Sequence, residues 1–433
     1  MCWSRVRNRD RRRVHGHDQG DGLDAAVTRA FLPILAVLYV LGFANLFLRQ
    51  SFGVVAPELE REMALSPAVL STIASSLFFA YALMQIPTGM LLDRFGGRVV
   101  MSTMLVFTAL GTALFAAGGS AETLTLARIL MGIGTAGAFT GAFYVMANWL
   151  PTDRFVTQTG ALNSFAAVGN LCATAPLAAL IVLIGWRQSY WLFTGAVAVL
   201  TLALALIVRD APPGHAPRTT RKETFAEVLA GVREAVRQPG MGRLLVAGLP
   251  MSFSSVMSGV WGAPYLKHIH ALDDIQRGSV LLLMAAGGIG GHYFYGRVAR
   301  AVNSLKLPML VGGTLILTVA TLLALVSHPP LWFVTMLFVI VSISSAYPTI
   351  AMAMGRGLVP GRLMGRGVAI ANMGIMTAIA VAQFVFGLVV GSFEPVGGVP
   401  PEIAYRTAFG VQAAVALTGL VILAPALDVK PRG

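Results

Sequence analysis

Apolar residues along this chain come in long runs, and the polar residues collect in short clusters between them. From about residue 30 to residue 425 few charges interrupt the runs, several of which exceed 18 residues, long enough to cross a bilayer as a helix. Charge, glycine and proline at the joints place twelve helices at about residues 30–56, 67–91, 99–118, 124–147, 159–184, 188–208, 243–266, 278–297, 308–326, 331–354, 367–390 and 405–425. An even number of spans leaves both termini on one side. The longest joint carries Pro212, Pro213 and Pro217, then a stretch from 222 to 237 in which Phe225, Val228, Leu229, Val232 and Val236 recur at helical spacing beside Lys222, Arg233 and Arg237. That is the pattern of an amphipathic helix lying on a membrane surface. The expected organisation is a basic tail (1–29), a six-helix bundle (30–208), a linker with an interfacial helix (209–242), a second six-helix bundle (243–425) and a short tail (426–433).

Composition sets the class. With 56% hydrophobic and 12% charged residues and a mean hydropathy of +0.73, the chain reads as an all-α integral membrane protein. The formal charge of +13 would suit nucleic acid, but its distribution argues against that partner. Of the 32 Lys and Arg, all but Arg49, Arg61, Arg128, Arg187, Lys267, Arg277 and Arg406 fall in the tails and the even-numbered joints. This is the positive-inside bias, and it puts both termini in the cytoplasm, with the bacterial inner membrane as the expected location. The tail with Arg5, Arg7, Arg9 and Arg11 to Arg13 is expected to be disordered; a polar stretch from His15 to Asp24 sets it apart from a twin-arginine signal. Cys2 and Cys172 form neither a disulfide framework nor a metal site. No nucleophile with its base, phosphate-cradling loop or metal cluster is evident, so an enzyme, an ATP-driven pump and a bound cofactor are not expected.

The most distinctive polar joint is GMLLDRFGGR, in which Gly89, Asp93, Arg94, Gly96, Gly97 and Arg98 meet at the end of an apolar run. Its spacing, G-x-x-x-D-R-x-G-x-R, resembles the loop between the second and third helices of the major facilitator superfamily of secondary transporters, and the spans extend that resemblance over nearly the whole chain. The resemblance implies the major facilitator fold: twelve transmembrane helices in two pseudo-symmetric six-helix bundles, with a substrate path between them that opens to each side in turn. It implies a gating role for Gly89, Asp93, Arg94, Gly96 and Arg98, with Gly89 admitting a close neighbour and Asp93 facing the start of helix 11 near Arg366 and Gly367. Weak internal similarity points the same way: Pro151 is followed by Asn163 and Pro360 by Asn372 at equal distance, and Gly296 to Arg300 occupies the place of Gly89 to Asp93.

Polar groups inside the spans are the candidates for substrate. A charge at mid-membrane costs about 2.5–3.5 kcal/mol on insertion scales. Arg49 is the basic candidate, and Asn45 and Phe52 share its helix face. The segment LFLRQSFGVVAPEL resembles helix 1 of the anion:cation symporters and organophosphate antiporters, where an arginine at the matching place binds an anion; the guanidinium fork suits carboxylate or phosphate. Alternatively, residues 31–48 carry the helix nearly across the hydrocarbon and Arg49 snorkels at the outer face. The antiporters hold a second arginine on helix 7, where this chain has Ser254, Ser255, Ser258, Trp261 and Tyr265, so a carboxylate is favoured over a phosphate ester. Tyr81 and Gln85 on helix 2, Asn163, Asn170 and Thr174 on helix 5, and Asn372 and Gln383 on helix 11 could line the same cavity or bond helix to helix.

The expected function is therefore secondary active transport of a small organic anion by a functional monomer among membrane lipids. Protons are a candidate coupling ion, yet none of the acids is clearly mid-span; His292 is the titratable group within helix 8. A proton-coupled drug exporter is the alternative, its glycine–proline signature met in part by Gly160, Gly169 and Pro176. A receptor that binds without transporting is the third reading, which the gate motif disfavours.

Overall fold

The computed structural model describes residues 6–212, 225–345, 347–360 and 363–430. Pro213, Pro217, Lys222, Arg362 and Cys2 lie outside the described residues, as do the side chains of the basic tail and of His292. Among the described residues seventeen α-helices follow one another: α1 Val6–Met63, α2 Pro67–Ala117, α3 Ala121–Thr135, α4 Ala138–Trp149, α5 Thr152–Cys172, α6 Ala175–Ile184, α7 Trp186–Ile207, α8 Phe225–Val236, α9 Met241–Leu245, α10 Gly248–Val256, α11 Gly262–His270, α12 Asp274–Ala301, α13 Lys306–Leu325, α14 Leu331–Ser344, α15 Pro348–Gly357, α16 Met364–Gly391 and α17 Glu402–Leu423. A single π-helical turn, Met257–Trp261, joins α10 to α11. Among the described residues the only β pairing is an isolated bridge between Val396 and Val399.

By length and apolarity eight of the described helical segments could cross a bilayer, or nine when the pair bent by 45° between Cys172 and Ala175 counts as one span. The membrane interior leaves no alternative, since a backbone that cannot reach water must bond within its own helix. Helix ends differ from the sequence reading in instructive ways. The first helix runs seven residues further, to Met63, with Pro57 inside it; buried helices absorb a proline because neighbours satisfy the freed carbonyl. It also starts at Val6, within the stretch expected to be a disordered tail, where no proline intervenes before Pro33.

The GMLLDRFGGR joint is not a loop. It lies within α2, whose two arms meet at Gly96, with φ 79° and ψ 167°. Only glycine adopts that backbone without strain, so this one residue turns the chain from one arm into the next. Connectivity then defines two faces. The near face carries Gly96, Asp210 and the start of α16, and the far face carries Met63, His270 and Pro401.

Packing brings α1 against α5 and α7, α2 against α3, α7 and α16, α10 against α16 and α17, and α13 against α17. Early and late elements approach closely where α1 meets the π turn: a Cβ added at Gly53 would lie 2.8 Å from the Gly259 carbonyl oxygen. Small residues at such crossings allow the backbone contact from which membrane helices draw much of their association. α8, expected as an interfacial helix, packs on α16, and the Arg366 guanidinium lies over Gly231.

Candidate functional site

Arg49 lies inside the protein, 9% exposed. Its guanidinium sits over the rings of Phe78 and Tyr81, at 5.3 and 4.9 Å from their centroids, and Nη2 approaches Met376 Sδ at 3.2 Å. Aromatic faces stabilise a cation without neutralising it. Nε has no hydrogen-bond partner, so a buried donor and a net charge remain available.

The residue that the sequence reading misplaced is Arg128. Counted there among the few Lys and Arg outside the tails and even-numbered joints, and passed over as a candidate, it is 1% exposed on α3, about two turns beyond the N-cap Ser120. Its Nη1 donates to the Leu48 carbonyl at 3.4 Å, its guanidinium lies 5.0 Å from the Phe52 centroid, and Nε is unpartnered. The carbonyl it holds belongs to the residue before Arg49, and the two charges lie close enough to act on each other. Beside them Ser51 Oγ and Tyr190 Oη are 2.8 Å apart. Neither arginine pairs with a carboxylate among the described residues. The signal for Arg128 was its place within an apolar helix; periodicity could not say that this helix face meets α1.

Around this pair the other candidates divide. Asn45 Nδ2 donates to the Thr135 carbonyl at 2.7 Å, leaving Oδ1 without a donor. Gln85, one turn beyond Tyr81, is buried with an unpartnered Nε2. Asn372 is half-buried one turn before Met376, on the α16 face that reaches Arg49. Gln50 Nε2 donates to Ser258 Oγ at 3.5 Å across to the π turn, and Gln383 Nε2 to the Ser255 carbonyl at 3.2 Å; both amide oxygens are unpartnered.

Three candidates are engaged elsewhere. Trp261 Nε1 donates to Ser71 Oγ at 3.0 Å, which ties the π turn to α2. Tyr265 is enclosed by rings, with Tyr405 and Phe409 at 5.4 and 5.3 Å between centroids. Asn163 is exposed and donates to the Thr159 carbonyl of its own helix at 2.9 Å.

At the near face the geometry centres on an acid absent from the sequence reading. The Arg98 backbone N–H donates to Asp210 Oδ1 at 2.7 Å, and the Gly97 N–H also acts on this carboxylate. Burial pushes the Asp210 carboxyl above the usual carboxylate range, while those N–H groups and the Arg98 charge pull it partway back. A Cβ at Gly96 would lie 2.2 Å from Asp210 Oδ2, so glycine here serves both the turn and the carboxylate. Gly89 behaves otherwise than expected. A Cβ there meets nothing within 4 Å, so no close helix approach depends on it. Asp93 is half-buried with its charge felt by Tyr144, whereas Arg94 is exposed over the Phe95 ring.

Comparison with known proteins gives three findings. The family model described as Major Facilitator Superfamily matches residues 38–343. The chain is 29% identical over 193 residues to the probable sulfoacetate transporter SauU of Cupriavidus necator, covering 44% of each chain, and 29% identical over 202 residues to the probable galactarate/D-glucarate transporter GarP of Escherichia coli K12, again 44% of each. The similarity thus spans under half the length of these relatives. Among solved structures, a bacterial homologue of the human lysosomal transporter Spinster, inward-facing and unoccupied, superposes with a TM-score of 0.70 at 18% identity, covering 90% of this chain and 95% of that one.

Proposed function

Because this chain belongs to the major facilitator superfamily, we propose that it is a secondary active transporter carrying a small organic carboxylate between two six-helix bundles by alternating access. One observation carries the reading: two buried arginines, Arg49 and Arg128, lie near each other with unpartnered Nε donors and no carboxylate to neutralise them. An unpaired charge in a low-dielectric interior is costly, and a bound anion relieves that cost by supplying opposite charge and oxygen acceptors together. The names of the sulfoacetate and galactarate/D-glucarate relatives support a carboxylate-bearing cargo.

Arg49 is the primary anion contact, with its fork directed by Phe78 and Tyr81, and Arg128 supports it from beneath α1. Asn45, Tyr81, Gln85, Ser258 and Asn372 supply polar contacts around the carboxylate, while Trp261 and Tyr265 brace the far-face packing of the same helices. Asn163 borders the near-face approach on its exposed side. Residues 30–208 and 243–425 act as the two moving bundles, joined by 209–242. The positive-inside bias supports a cytoplasmic near face with both termini there, in a bacterial inner membrane, and the protein works as a monomer. Gly96 and Arg98 act in the gate through Asp210, with Asp93 and Arg94 beside them.

The test is a thermal-stability screen of the purified protein against mono- and dicarboxylates, phosphate esters, sugars and cationic drugs. A ligand that binds the folded form alone raises its unfolding temperature. Stabilisation by carboxylates that vanishes in Arg49→Lys supports the reading; stabilisation by cationic drugs alone overturns it.

A further inference from the structure

One span of the early helices is broken. α5 and α6 meet at a 45° bend between Cys172 and Ala175, and Pro176 in the first turn of α6 has no N–H with which to continue the ladder. Beside the bend lies a groove of about 350 Å³. Its walls are α1 from Val40 to Leu48, the bent pair from Cys172 to Leu180, and α7 from Phe193 to Leu200. The lining is aliphatic and aromatic apart from the Cys172 sulfur, and no side chain in it is charged. Protein interiors leave few voids larger than a water molecule, and an apolar cavity of about 150 Å³ stays dry. A groove in the range of ligand pockets, about 300–1,000 Å³, with such walls calls for an apolar occupant.

Depth and surroundings identify that occupant. Phe193 to Leu200 are the middle of α7, Trp186–Ile207, and Val40 to Leu48 lie well inside the apolar span that begins at Phe31. The groove is therefore near the centre of the bilayer, beyond the reach of a lipid head group. At 1.5 Å per residue the α1 wall is about 12 Å long and the α7 wall about 10 Å, the shape of a slot for a chain. Val40, Pro176 and Ala196 at its walls are exposed, and so are the adjoining Leu183, Leu192 and Val199. The groove thus continues the surface that these spans present to hydrocarbon.

From this geometry we infer that the groove between α1, α6 and α7 seats the tail of a membrane phospholipid. The head group stays at the bilayer surface while the distal part of the tail lies in the groove. A free fatty acid offers the same tail, but the phospholipid is present at solvent concentration, so mass action favours it. The seated tail backs the stretch of α1 that carries Arg49. Phe47 meets the Phe193 ring edge-on at 4.8 Å between centroids, and the carbonyl of Leu48, in the same wall, accepts from Arg128. An occupant supplies the dispersion contacts that helix packing alone leaves unmade there.

The experiment uses the full chain in phosphatidylcholine liposomes without cargo, so an error in the anion reading leaves the result unaffected. A fraction of the lipid carries a diazirine near the end of one tail, and labelled residues are mapped by mass spectrometry after irradiation. Labelling is expected to concentrate on the walls from Cys172 to Leu180 and from Phe193 to Leu200, above the level at exposed α17 residues such as Val421. A diazirine next to the glycerol is expected to give no such excess. Ala196→Trp fills the groove from α7 and Leu180→Trp from α6. Loss of the excess, down to the level at Val421, in either variant with its unfolding temperature kept supports the site. Label spread evenly over the exposed surface, or an excess that survives in both folded variants, overturns it. So does an excess given by photoreactive palmitic acid but not by the phospholipid.

Discussion

The Arg98 backbone N–H and the Asp210 carboxylate, 112 residues apart in sequence, are joined by a 2.7 Å hydrogen bond. Asp210 follows the end of α7 and caps the second arm of α2, whose first N–H groups would otherwise lack partners. Asp210→Ala is expected to cost about 1 kcal/mol, the usual range for a lost cap, read as a lowered unfolding temperature. Because burial holds this carboxyl above its ordinary range, the folded protein binds the Asp210 proton more readily than the unfolded chain does. Its contribution is therefore largest below the unfolded value of about 3.9 and is lost as pH rises through the raised folded value. The stability of the parent relative to Asp210→Asn should fall over that window; a parent that gains on the variant with rising pH would reverse the assignment.

Gly89 and Gly96 stand at two ends of one motif but are constrained differently. Gly96→Ala places a side chain at φ 79° and 2.2 Å from Asp210 Oδ2, and is expected to cost about 1–3 kcal/mol in strain. Gly89→Ala enters open space in a helix, where alanine is favoured over glycine by about 0.5–1 kcal/mol. Parallel melting curves in detergent should show a lowered midpoint for the first and an unchanged or raised one for the second.

The two arginines should separate function from stability. Removing a buried charge that lacks a partner relieves its desolvation cost, whereas removing a structural ion pair would leave its mate exposed to that cost. Arg49→Met and Arg128→Met are each expected to abolish carboxylate uptake into proteoliposomes while leaving the ligand-free unfolding temperature equal or higher. A large loss of stability in Arg128→Met with uptake retained in the folded fraction would make that residue a scaffold element.

What could be read beforehand follows from how far each signal reaches along the chain. Apolar runs record burial in lipid and located the helical segments; the glycine and charge pattern at 89–98 located a backbone singularity and the family. Arg49 was legible because a charge inside a run is conspicuous. Arg128 was not, because its run begins only a few residues earlier at Ser120, and whether it turns to lipid or to α1 is decided by a helix 80 residues away. Asp210 was hidden for the same reason: a carboxylate after a helix end gains its role only when α2 turns at Gly96 beneath it. The role given to Gly89 was an inference from pattern that the local packing does not support.

Gly53 provides the most direct mechanical test of the far face. Its Cα hydrogens face the Gly259 carbonyl within the π turn, where an added Cβ would meet carbon and oxygen at 2.8 Å. Backbone cannot yield as a flexible side-chain tip can, so Gly53→Val must push α1 away from the turn. The bonds of Trp261 to Ser71 and of Gln50 to Ser258 span the same gap and part with it. The expected outcome is a far face wedged open: a cysteine placed at Ser71 in that background should react with a membrane-impermeant maleimide at least tenfold faster than in the parent. Carboxylate binding is expected to persist, since Arg49 is held by Phe78 and Tyr81 of α2 rather than by the turn, whereas net transport stops because the cycle cannot close. Unchanged reactivity with normal uptake would mean that the α1 contact with the π turn does not move during transport.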